Sequence, residues 1–282
     1  MRDRRLLVLV AAATTLAGCG GGGSSAPSFP HVGAARTYQL AQFKPAGPVR
    51  PGAPTTVSFV IRQPNGQPLT RYKRGAGPHT GVHLIMVRRD LSTIVHLHPP
   101  IAANGVASVP VTFTEPGPYR VVIDAYPATG AQPNFQLFGK LRVQGAYHPQ
   151  PLPAFSSTET VDGFHFTLHG HPKLRAIEAG DLVMTVTDPQ GRPATFTPWF
   201  GALAHAIFFR RGSLDYFHTH ICAPGATGCT SVLGGAKVTG TSSTPGKLTI
   251  GVLVPVAGTW RLFLQCKVNG QVVTAPFTLT VR

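Results

Sequence analysis

Six of the chain's twelve histidines fall into two triads with one spacing. His83, His96 and His98 lie in HLIMVRRDLSTIVHLHP, and His205, His218 and His220 lie in HAIFFRRGSLDYFHTHI. The two stretches align without a gap, and Arg88-Arg89 falls on Arg210-Arg211. Imidazole suits Zn, Cu(II) and Ni, and three histidines with an open position is a known zinc arrangement. Once a leader is set aside, Met86 and Met184 are the only methionines, which argues against a methionine-rich Cu(I) site. The chemistry to expect is therefore a Cu(II) or Zn site of three histidines, present twice.

The elements that must position these rings read as β-hairpins. Residues two apart on a strand share a face, so His96 and His98 point the same way. If the turn is Arg89-Asp90, His83 lies opposite His96; if it is Asp90-Leu91, His83 lies opposite His98. The second triad repeats the choice, with turn Arg211-Gly212 or Gly212-Ser213. Either register puts three imidazoles on one face, with opposed Cβ atoms about 4.5–5.5 Å apart. Gly212 accepts positive φ better than Asp90 does. No carboxylate keeps a matched place near both triads; Asp215, near the second, aligns with Thr93. His79, four before His83, could add a ligand in the first unit only, whereas His165, His169 and His171 share one strand face that reads as solvated.

The 282 residues include 32 Gly and 27 Pro but only 12% charged residues, and amphipathic helical patterns are missing. Short alternating apolar runs between turn residues predict an all-β chain. Asn269-Gly270 between two such runs is a hairpin signal. The repeat extends beyond the histidines: residues 63–68 match 188–193, and Gly117-Pro118-Tyr119-Arg120-Val121 matches Gly258-Thr259-Trp260-Arg261-Leu262. The expected organisation is two tandem immunoglobulin-like β-sandwiches from an internal duplication. Residues 34–145 and 155–282 form the two, and residues 146–154 form a Pro-rich linker. Tyr119 and Trp260 resemble the corner residue of such folds. Trp260, Leu262, Leu264 and Cys266 would share the core face, leaving the Cys266 thiol inert. The second unit has 38 positions from His220 to Gly258 against 19 from His98 to Gly117.

The amino terminus carries a basic start and an apolar run of about a dozen residues, the size of a signal-peptide core. Leu16-Ala17-Gly18-Cys19 resembles a bacterial lipobox, which implies cleavage after residue 18 and a diacylglyceryl group on Cys19. Residues 19–33 would be a flexible Gly/Ser tether. The expected location is the extracytoplasmic face of the cell membrane, held by the lipid. Export permits disulfides, and Cys222 and Cys229, in one Gly/Pro-rich loop, are the natural pair. The formal charge is +15 and falls to about +13 without the first 18 residues. Such a charge favours anionic envelope polymers or a protein partner rather than nucleic acid.

Motifs for metalloprotease, serine hydrolase and phosphate-loop chemistry are missing. A three-histidine zinc enzyme is geometrically allowed, but no proton-transfer partner recurs beside both triads, so binding is expected rather than turnover. HAIFFRRGSLDYFHTH, with residues 258–265 and Val272-Val273-Thr274-Ala275-Pro276-Phe277, resembles a group of actinobacterial secreted proteins and lipoproteins. Its members share GHL-x3-R-x-GDL-x3-H-x-HP, then PGxYRLFLQ and VxTAxF. Ala204 replaces the Gly before His205, and Ile221 replaces the Pro after His220. The group is associated with heavy metals, so the resemblance implies metal binding. The competing expectation is a metal-free structural or interaction module.

Overall fold

The computed structural model describes residues 37–73, 81–130, 134–226, 232–233 and 236–282. The leader, the tether, Cys19, His31, His79 and Cys229 lie outside the described residues. In the first half the strands are β1 (Gln39–Lys44), β2 (Pro54–Arg62), β3 (Val82–Arg88), β4 (Ile94–Leu97), β5 (Val106–Thr112), β6 (Gly117–Ala125) and β7 (Phe135–Val143). In the second they are β8 (Thr158–Val161), β9 (Phe164–Leu168), β10 (Gly180–Thr187), β11 (Phe196–Thr197), β12 (Ala204–Arg210) and β13 (Tyr216–Cys222). The remainder are β14 (Val232–Leu233), β15 (Ala236–Lys237), β16 (Gly240–Thr241), β17 (Lys247–Val252), β18 (Gly258–Val268) and β19 (Gln271–Val281). The chain is all-β, as its alternating runs predict.

Two sheets, ordered β1-β2-β5 and β4-β3-β6-β7, make the first half. The alternation of β2 turns Val57, Phe59 and Ile61 inward, and β3 supplies Leu84 and Met86 to the same core. In the second half one hydrogen-bonded path runs β11-β18-β12-β13-β16-β17-β10-β9-β8, with β19 on the free side of β18. It wraps one core, because Phe166 and Met184 from one end share it with Trp260, Leu264 and Phe277 from the other. Cys266 lies in that core as a free thiol, pushed by burial up to about 12.

Both corner residues close locally. The Tyr119 hydroxyl donates to the Glu115 carbonyl (2.9 Å), and the Trp260 indole donates to the Val256 carbonyl (3.0 Å). The predicted tight turn is present: Val268 pairs with Gln271, with Asn269 and Gly270 both at positive φ. That is the backbone a two-residue hairpin demands.

The centre of the molecule is a third core. Strand β3 is buried on both faces: Val82, Leu84 and Met86 face their own sandwich, whereas Ile85 and Val87 face outward. Strand β12 does the same, with Ala204, Ala206 and Phe208 inward and Ile207 and Phe209 outward. The outward residues meet one another, together with Val122 and Phe263. Each buried aliphatic or aromatic side chain there contributes roughly 1.5–3 kcal/mol by leaving water. Residues 36–282 accordingly form one compact unit.

Candidate metal centre

Registry decides which histidines face each other. Ile85 pairs with His96 and Leu84 with Leu97, so His83 falls opposite His98. On the other hairpin His205 pairs directly with His220, and Ile207 with His218. Of the two registers open in the sequence, both hairpins take the one centred a residue further on. Gly212 does take positive φ, but in the first hairpin Leu91, not Asp90, carries the left-handed conformation.

His83 and His205 point away from their own cores, on the faces that form the central interface. The two triads therefore meet. His83 Nδ1 lies 3.1 Å from His218 Nδ1, and His205 Nδ1 lies 3.2 Å from His218 Nε2. Ring centroids of His96 and His205 are 5.0 Å apart. The expectation of one three-histidine site on each half is thus corrected: the packing of β3 against β12 merges them into a single cluster. One nitrogen from each of His83, His96, His205 and His218 lies within 4.8 Å of the others, and all four residues are buried. His98 and His220 flank this group, with centroids 4.2 Å from His83 and 4.6 Å from His218 respectively.

The hydrogen-bond pattern sets the proton positions. The Trp199 carbonyl can only accept, so His205 Nε2–H donates to it at 3.0 Å. His205 Nδ1 is then a lone pair that accepts from His218 Nε2–H, and His218 Nδ1 accepts in turn from His83. Three neutral imidazoles run head to tail between the two halves. The Gln265 amide donates to Thr274 Oγ1 (2.9 Å), which aims Oε1 at His96 Nδ1, also 2.9 Å away. His96 therefore donates from Nδ1 and keeps a bare Nε2 lone pair. That atom is buried and has no hydrogen-bond partner among the described residues.

Burial keeps these rings uncharged. Desolvation first, then neighbouring histidines, hold His83 and His218 well below the usual imidazole range. Desolvation pulls His96 down to about 3 against the opposing bond from Gln265. A neutral imidazole is the form that binds a metal.

Two polar groups beside the rings were not expected from the sequence. In β6 Asp124 pairs with His83, and in β18 Gln265 pairs with His205. Each reaches a histidine of the opposite half: Asp124 Oδ2 lies 3.7 Å from His218 Nδ1, and Gln265 bonds His96. Asp124 is buried, held by Gln136 and the Tyr216 hydroxyl, and desolvation raises it to about 6. Since His218 is neutral, their contact is no ion pair without a cation between them. The signal was available: aligning Tyr119 on Trp260 puts Asp124 on Gln265, two polar residues at one place in apolar strands. Asp215, the carboxylate singled out near the second triad, instead holds Arg210 and Ser213 in the turn. Trp199 and Phe200 were missed too; Phe200, at positive φ, stacks on His98 with centroids 3.8 Å apart. His165 and His169 bond Thr160 and Thr185 on the exposed face. Cys222 is disulfide-bonded, and the described residues do not include its partner.

A domain of unknown function, DUF8832, matches residues 159–282. No curated protein matches the chain. Among solved structures, E. coli alpha-2-macroglobulin is similar at 14% identity and TM-score 0.27, over 88% of this chain and 14% of that one. Invasin, a bacterial integrin-binding protein, is similar at 15% identity and TM-score 0.24, over 87% and 38%. Fibronectin(III)-like modules of Clostridium thermocellum CbhA are similar at 10% and 0.22, over 87% and 93%. The chain thus spans a small part of the first of these. Scores this low define no common fold.

Proposed function

We propose that this protein binds one divalent transition-metal ion, Cu(II) or Zn, in a histidine site shared between two immunoglobulin-like domains that arose by internal duplication. The observation that carries the reading is the buried four-histidine group, two rings from each half, with His96 Nε2 buried and unpartnered among the described residues. Two nitrogens bound to one tetrahedral ion at 2.0–2.1 Å stand about 3.3 Å apart. The 3.1 Å between His83 Nδ1 and His218 Nδ1 suits such an ion once it displaces the proton they share. Equivalent positions support the duplication: His83/His98 and His205/His220 pair alike, Asp124 and Gln265 sit alike, and both corners close alike. The role is binding, buffering or delivery. The hollow beside His218 and Asp124 encloses about 30 Å3, roughly the space of one water molecule. We place the protein outside the cell, tethered through a lipid on Cys19, with Cys222 joined to Cys229.

Calorimetric titration of the chelator-treated protein should give one tightly bound ion per chain, with Cu(II) and Zn competing. His96→Ala should abolish that binding. Two independent ions, of which His96→Ala removes one, would restore a separate site on each half. A second reading rests on the head-to-tail imidazoles: they could simply satisfy one another and fix how the halves dock. In that case neither metal would raise the melting temperature.

A further inference from the structure

At the end of β6 away from the histidines lies a cleft of about 520 Å3. Arg89, Arg120, Lys140 and Arg142 line it, and among the described residues no acidic side chain does. Arg120 pairs directly with Lys140 across β6 and β7, and Arg142 pairs with Pro118 on the same face. Like charges placed opposite each other destabilise a sheet. Here they recur with no carboxylate to relieve them. Elsewhere three arginines are relieved, Arg88, Arg192 and Arg210, each by an aspartate. The Arg120 guanidinium sits 4.3 Å over the ring of Phe138, which is 48% exposed. Its Nε is buried without a hydrogen-bond partner among the described residues. A second hollow of about 460 Å3 shares Arg89 and Gly212 with the first and adds Arg211. The one carboxylate there, Asp90, is already bound to Arg88. The two hollows make a basic trough floored by one half and edged by Gly212 and Leu214 of the other.

We propose that this trough binds successive phosphate groups of an anionic chain, a phosphodiester or polyphosphate polymer. Guanidinium forks match phosphate oxygens two at a time. Five cations spread over two joined hollows suit several linked charges better than a single ion. The walls, with Pro45, Pro48 and Pro118, are concave, which fits a chain lying in a groove rather than a flat lipid surface.

Inorganic tripolyphosphate is the probe, titrated calorimetrically into full-length, chelator-treated protein at low and at physiological salt. Arg120→Gln with Lys140→Gln should weaken binding by about tenfold or more, since each charge-assisted bond lost is of that order. Arg142→Gln, at an exposed site, should weaken it in the same direction and guards against a folding defect in the double variant. Lys173→Gln with Lys247→Gln removes the same charge from exposed positions outside the trough and should leave affinity within about twofold. Equal losses in both double variants would reduce the effect to bulk charge and overturn the proposal, as would no heat with wild type. Phosphatidylglycerol vesicles form the second arm. Pelleting lost only in the trough variants, with tripolyphosphate binding unchanged, would make the ligand a lipid surface and likewise overturn the polymer.

Discussion

Gln265 and Asp124 show how single residues set the chemistry of the cluster. Gln265 need not touch an ion to matter, because it fixes the ring of His96, one of the four that could hold one, whereas Asp124 stands 3.7 Å from His218. Groups in this position typically change metal affinity by about ten- to a hundredfold when removed. Gln265→Ala should therefore weaken metal binding by that factor without changing its stoichiometry, measured by competition with a chromophoric chelator. Gln265→Glu, which still accepts from His96 Nδ1, should recover most of the loss. An alanine variant with wild-type affinity would show that His96 needs no orienting. The six histidines and their common face were legible from spacing alone, because strand periodicity fixes facing. The meeting of the two triads was not, since nothing in a strand's period says which other surface covers its outer face. Asp124 and Gln265 were half-legible, since besides Arg120 and Arg261 they are the polar pair that interrupts the apolar runs of β6 and β18 at one aligned place.

Among the elements, β3 and β12 decide the outcome. A strand apolar at nearly every position is buried on both sides, and Leu84-Ile85-Met86-Val87 and Ala206-Ile207-Phe208-Phe209 have that character. The signal for a covered outer face was thus in the sequence, but the identity of the cover was not. Phe263 tests the element. It is 2% exposed and packs in the central core, not in the main core of the second half. Phe263→Ala should cost about 3–5 kcal/mol in urea unfolding and weaken metal binding as well, because it loosens the contact that brings the two hairpins together. Trp260, in the core of the second half, offers the contrast. Destabilisation by Phe263→Ala with metal affinity untouched would mean that the hairpins meet without help from this core. The Asn269-Gly270 turn and both corners were readable because short-range backbone demands fix them.

For the molecule as a whole, the buried imidazoles impose a pH dependence. His83, His96 and His218 titrate below their unfolded value of about 6.5, so the folded state binds fewer protons than the unfolded one. Their contribution is fully present above that value and is lost as pH falls through it, with His96 resisting to about 3. Each such group changes the folding equilibrium about tenfold per pH unit in that window. Asp124 acts with the opposite sign. Raised to about 6 from an unfolded value near 3.8, it offsets one histidine between those limits. The net expectation for chelator-treated protein is a urea midpoint that drops steeply from pH 7 to pH 5. A flat midpoint would mean that the cluster is hydrated and free to charge.

The cross-over of Asp124 to His218, and of Gln265 to His96, has one more consequence. Each half sends a polar side chain to a histidine of the other from the same strand position, as the subunits of a symmetric dimer do. Had the unit ever existed singly, its cluster would have formed only when two copies collided, and loading would have depended on how crowded they were. Joined in one chain, the partner is held at the fixed effective concentration that a short linker provides. Every molecule then carries a formed cluster, however dilute the protein. The freedom from symmetry also lets one half carry an aspartate where the other carries a glutamine.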